Sequence, residues 1–184
     1  MTDPRWQKLA EVLVHHSVRV QPGERVLIEA FDMPAEFVAL LMRTVYAAGG
    51  EAIPLIKQTP ALRALYQNAS ESQIQFMAGL ERAQMEGVQG YIGLRGAPHY
   101  AEMSDIPQER MQRVRQHWWV PVHQEVRVPH TRWVVLRWPT HGMAQAAHMS
   151  TEAFEEFYFR VCTLDYGQME RDVAPLVELM QRTR

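Results

Sequence analysis

The chain has 184 residues, 47% hydrophobic and 22% charged, a balance that suits one soluble globular domain and excludes a disordered polypeptide. Its formal net charge of -2 gives no general attraction to nucleic acid or to an anionic membrane. The single cysteine, Cys162, leaves no partner for an intramolecular disulfide and fits a reducing compartment. The amino terminus has no basic stretch leading into an apolar one, and no apolar run approaches the roughly 18 residues of a membrane span. A cytoplasmic protein is the expectation.

In chain order, Trp6, Leu9, Ala10, Leu13 and Val14 mark one stripe of a first helix. Pro22-Gly23 turns the chain into a strand over Arg25 to Phe31, and Asp32 with Pro34 signals a helix start. Phe37, Leu40, Leu41, Thr44, Val45 and Ala48 line that second helix, and Gly49-Gly50 closes it. A second strand follows over Glu51 to Ile56, where Pro54 removes a ladder donor and points to a sheet edge. Together these make a right-handed βαβ unit.

A short helix over Pro60 to Asn68 comes next, and Ser70 with Gln73 has the form of a capping box opening a helix through Met85. Val88 to Leu94 reads as a third strand, Arg95 to Ser104 as a loop, and Pro107 to about Trp119 as a helix. Arg132 to Trp138 is a fourth strand stopped by Pro139. Ser150 caps a helix with Phe154, Phe157, Tyr158, Val161 and Cys162 on one face, and a last helical segment is expected to break or kink at Pro175. The methionines read as core. The whole is a single α/β domain: a mainly parallel sheet of about four strands, covered by helices on both faces in Rossmann-like layering.

In such a sheet, ligands bind beyond the carboxyl ends of the strands. The loop after the first strand, Glu29 to Pro34, has no glycine, so the dinucleotide fingerprint is missing, as is a phosphate-binding P-loop. His117, His123, His130, His141 and His148 are spaced too irregularly for a helical metal site, and only Glu125 stands among them; solvated or core histidines explain them better. Cys162 shares an apolar face and reads as a small buried hydrophobe. The Arg- and Trp-rich stretch from Arg110 to Trp138 fits packing or a protein interface better than nucleic acid.

The order of segments resembles the amino-terminal region of the aminopeptidase T/aminopeptidase S family of thermophilic-type metallo-aminopeptidases. The matching stretches are Lys8 to Val14, Val20-Gln21-Pro22-Gly23-Glu24-Arg25-Val26-Leu27-Ile28, Ala47-Ala48-Gly49-Gly50 and Arg95-Gly96-Ala97-Pro98. Later come Arg132-Trp133-Val134-Val135, Pro139-Thr140, Met149-Ser150, Phe157-Tyr158 and Cys162-Thr163-Leu164-Asp165. The resemblance spans nearly the whole chain, although His99 departs from the acidic or amide residues that follow the proline in the family.

The resemblance implies a two-domain exopeptidase acting on peptide amino termini through two divalent metal ions, zinc, cobalt or similar. It places the metal ligands and the catalytic carboxylate in a carboxy-terminal catalytic domain that is missing from this chain. No catalytic residue and no metal ligand is therefore expected here, and the chain alone is expected to be inactive. The implied role is to shape the dimer, a homo-oligomer, and one wall of the peptide cleft, with Arg95, His99 and Thr140 as candidate wall residues. The alternative is a stand-alone binding or assembly module derived from that domain. No nucleic-acid or membrane partner is expected.

Overall fold

The computed structural model describes residues 3–99 and 101–183; Tyr100, within the expected loop after the third strand, lies outside the described residues. Four strands, β1 (Arg25–Phe31), β2 (Glu51–Lys57), β3 (Gly90–Arg95) and β4 (Arg132–Arg137), form one all-parallel sheet in the order β2-β1-β3-β4. The expected α/β architecture is thus what forms. Pro54, which has no N–H to give, sits in an edge strand as its chemistry requires.

Alternation along the strands divides the side chains between two cores. On one face, Val26, Ile28, Ala30, Ile92 and Leu94 pack under α1 (Pro4–Glu11), its π-helical continuation Val12–Ser17, α2 (Ala35–Ala47) and α8 (Thr151–Cys162). On the other, Leu27, Ile53, Leu55 and Tyr91 pack under α4 (Glu71–Glu86) and a long rod. That rod is α5 (Gln108–Val114), a π-helical stretch Arg115–Arg127 and α6 (Val128–His130), with Pro121 inside. The sequence pattern put the end of this helix near Trp119. The wider π turn instead absorbs Pro121, so Trp118 and Trp119 lie within the rod rather than at its end.

Capping follows the sequence at Ser70 and Ser150, whose hydroxyls accept from the N–H groups of Gln73 and Ala153 at 3.2 Å each. Gly49, at φ 81°, ends α2 in the left-handed conformation. Asp32 serves a different helix from the one it precedes. From a left-handed backbone (φ 49°) its carboxylate accepts from the Thr59 N–H at 2.9 Å and from the Thr59 hydroxyl. It thereby ties the end of β1 to the start of α3 (Thr59–Asn68).

The carboxy-terminal third departs most from expectation. In α8 the buried aromatics are Phe154, Tyr158 and Phe159, while Phe157 and Val161 are exposed. Helix α9 (Tyr166–Arg182) runs unbroken through Pro175. The carbonyl that the proline strands belongs to Arg171, on a helix exposed along its length, where water can take the bond. That helix also exposes Met169, Val173, Leu176, Val177, Leu179 and Met180, so its methionines are surface and not core. A short α7 (His141–Ala146) joins β4 to α8. Among the described residues no helix is long and apolar enough to cross a membrane.

Candidate functional site

The connections out of β1 and β3 leave toward opposite faces, so a crevice opens between the carboxyl ends of these neighbouring strands. Odd-numbered residues of the three strands point to the α4 and rod side. Glu29 and Phe31 come from β1, Lys57 from β2, and Tyr91 and Arg95 from β3. The rod adds Trp118 and His123, and α4 adds Glu81. A cavity of about 420 Å3 lies over them, walled by Phe31, Tyr66, Met111, Val114, Trp118 and Trp119.

At its floor is Glu29, 1% exposed, the one charged residue in the run Val26 to Phe31 of β1. Lys57 Nζ donates to Glu29 Oε1 at 2.7 Å, and the same ammonium lies 2.6 Å from Glu81 Oε1. Arg95 Nη2 donates to Glu29 Oε2 at 2.7 Å and to the Tyr91 hydroxyl at 3.0 Å, while that hydroxyl donates to Glu29 Oε2. Trp118 Nε1 donates to Glu81 Oε2 at 2.9 Å. Both oxygens of each buried glutamate are thus engaged, the condition under which a buried carboxylate is tolerated.

Burial by itself would push Glu29 up, but Lys57 and Arg95 together outweigh it and hold the carboxyl at about 2. Burial also dominates at the phenols, raising Tyr66 to about 12 and Tyr91 further still. His123 is pushed down to about 4, mainly by burial, with Arg127 adding to it and Glu29 opposing it. Arg127 Nε donates to His123 Nδ1 at 3.1 Å. Because arginine can only donate, the neutral imidazole carries its proton on Nε2. The Arg127 guanidinium lies 5.1 Å from the Tyr91 ring centre and 4.3 Å from that of Trp133. Within the arginine and tryptophan stretch, Arg127 thus packs against Tyr91 and Trp133.

Gly93 is what lets Tyr91 reach Glu29. A Cβ there would stand 2.8 Å from the tyrosine oxygen. Gly93→Ala should therefore force the ring off the carboxylate and cost about 1–3 kcal/mol in chemical denaturation; an unchanged midpoint would remove this role for the glycine.

Glu29, Glu81 and His123 are the one set of three acidic or histidine side chains among the described residues whose donor atoms lie within 4.8 Å of one another. The set does not suit a divalent ion. Lys57 Nζ already bridges the two carboxylates, with Arg95 on the far side of Glu29. An ion there would have to displace one ammonium and sit beside a guanidinium. The cluster is a buried ion-pair network.

The three residues expected from the sequence to form a cleft wall line one crevice, of about 340 Å3, beyond the ends of β3 and β4. Arg95 borders both this crevice and the larger one. His99 is exposed and 3.5 Å from Glu102, and Thr140 caps α7 by accepting from the Met143 N–H at 3.3 Å. Cys162 packs against the first core, and burial pushes its thiol up, which fits a packing role. Sequence reasoning missed Glu29, Lys57, Glu81, Tyr91 and the special status of His123. The available signal was a lone carboxylate inside the apolar run Val26 to Phe31, and one of only two lysines at a strand end.

This arrangement defines an α/β domain with a charged, aromatic-walled crevice at its topological switch point. The profile of the thermophilic metalloprotease (M29) family matches residues 2–172, and the chain belongs to that family. The resemblance drawn from the sequence motifs is to the same family. Among solved structures, the chain is similar to wild-type AmpT from Thermus thermophilus, with TM-score 0.65 and 19% identity. The similarity covers 86% of this chain and 42% of that one, so the chain spans less than half the length of that relative. No curated protein matches it in sequence.

Proposed function

We propose that these residues form the non-catalytic amino-terminal part of a dinuclear-metal aminopeptidase, contributing a wall of the peptide cleft and a share of a dimer. The observation that carries this reading is chemical. The one compact Glu/His donor set among the described residues is filled by the Lys57 ammonium, so the metal ions that hydrolyse the peptide bond are to be held elsewhere in the enzyme. The match to only 42% of the AmpT chain supports it, as does the grouping of Arg95, His99 and Thr140 along one crevice.

The purified chain, supplied with zinc or cobalt, should leave leucine p-nitroanilide unhydrolysed. Metal-dependent turnover by the chain alone would overturn the reading. The apolar side chains exposed on α9 favour burial against a partner, either the rest of the enzyme or a second copy, and also suit the alternative of an assembly module. Sedimentation of the chain as a monodisperse monomer would count against self-association in both.

A further inference from the structure

The larger crevice has a one-sided supply of hydrogen-bonding groups. Its lining includes three cations, Lys57, Arg95 and Arg115, against one carboxylate, Glu29. Both Glu29 oxygens are already taken, by Lys57 on one side and by Tyr91 and Arg95 on the other. The capacity left over is almost entirely donor. Arg115 makes no ion pair or hydrogen bond among the described residues. The Nε2–H of His123 is likewise unused, because Nδ1 holds the Arg127 contact. Lys57, with two carboxylates engaged, retains a third N–H.

A ligand bearing an ammonium would therefore find no free carboxylate, whereas an acidic ligand would find several donors converging in a partly desolvated place. The walls are flat and apolar, with Phe31, Trp118 and Trp119 around the opening. The volume of about 420 Å3 is in the range that holds small molecules.

We propose that this crevice binds a small organic carboxylate with a flat apolar body, the carboxylate on Arg115 and Lys57 and the body between the tryptophans. The site is separate from the peptide cleft proposed above, although Arg95 borders both, and it does not depend on that reading.

The test uses the full chain and three probes, followed through the indole N–H resonances of its tryptophans. Phenylacetate should shift two of them saturably, with a dissociation constant on the order of 1 mM for so small a ligand. Phenethylamine, with the same ring and the opposite charge, should not shift them. Arg115→Gln removes an exposed, unpaired side chain, so the fold should be kept while phenylacetate binding weakens about tenfold. Inorganic phosphate should compete only weakly, having no apolar body. Absence of phenylacetate shifts, equal shifts with phenethylamine, unchanged affinity in Arg115→Gln, or phosphate binding as tight as phenylacetate would each overturn the proposal.

Discussion

Replacing Lys57 by methionine should destabilise the protein by about 3–5 kcal/mol at pH 7, the largest single effect expected outside the apolar cores. The methionine fills much of the lysine's space, so the loss is chiefly electrostatic. Glu29 would keep Arg95 and Tyr91, but Glu81 would keep only the Trp118 N–H for a carboxylate that is 8% exposed. A buried carboxylate stripped of its cation is stabilised by taking up a proton. The penalty is then present at neutral pH and fades as pH falls and the group becomes neutral. Urea denaturation of wild type and Lys57→Met at pH 7 and pH 5 should show the gap narrowing on acidification. A second variant separates charge from packing: adding Glu81→Gln to Lys57→Met should recover a substantial part of the loss. A gap independent of pH, with no recovery, would mean that the loss comes from imperfect packing of the methionine and not from charge.

The second large effect is acid lability built around His123. Its folded-state value of about 4 lies below the ordinary 6.5, so between these values the unfolded chain binds more protons than the folded one. Stability is therefore fully present above pH 6.5, declines as pH falls through this window, and is fully lost from this source below about 4. At about 1.4 kcal/mol per pH unit, the limb amounts to on the order of 3 kcal/mol. Glu29, held at about 2 against an ordinary 4.5, has the same sign at lower pH. Its contribution is present above 4.5 and lost as pH falls through 2. Two successive acid limbs are the expected profile, and His123→Gln should flatten the upper one while leaving the lower. If wild-type stability stayed level from pH 6.5 to 4.5, or the His123 ring titrated near 6.5 by NMR, burial would not be controlling this histidine.

Much of the fold was legible because it rests on local patterns. The stripe from Trp6 to Val14, the capping serines Ser70 and Ser150, Gly49 after α2 and the edge-strand proline Pro54 each act within a few residues of sequence. The errors fell where a local signal was answered by something distant or by geometry the pattern does not encode. The rod runs past its expected end near Trp119 because a π turn absorbs Pro121, and the Asp32 carboxylate, beside the start of α2 where a helix start is expected, holds the helix after it.

The crevice shows the limit most clearly. The irregular spacing of the histidines, with only Glu125 among them, makes His123 a solvated or core residue by sequence. Its carboxylate neighbours are Glu29 and Glu81, brought from β1 and α4. Neither the spacing of the histidines nor the composition of the rod contains that proximity.

By its sequence alone this chain determined its class: an α/β domain without a nucleotide fingerprint, carrying the ordered motifs of the M29 metalloproteases. Only the tertiary structure decided the strand order, and with it which charges meet. Parallel strands from distant parts of the chain align Glu29, Lys57, Tyr91 and Arg95 on one face, and a helix rod closes over them with His123 and Trp118. Periodicity records which side of an element is buried, because burial acts residue by residue. An ion-pair network depends on distances between elements, and those are set only when the elements pack.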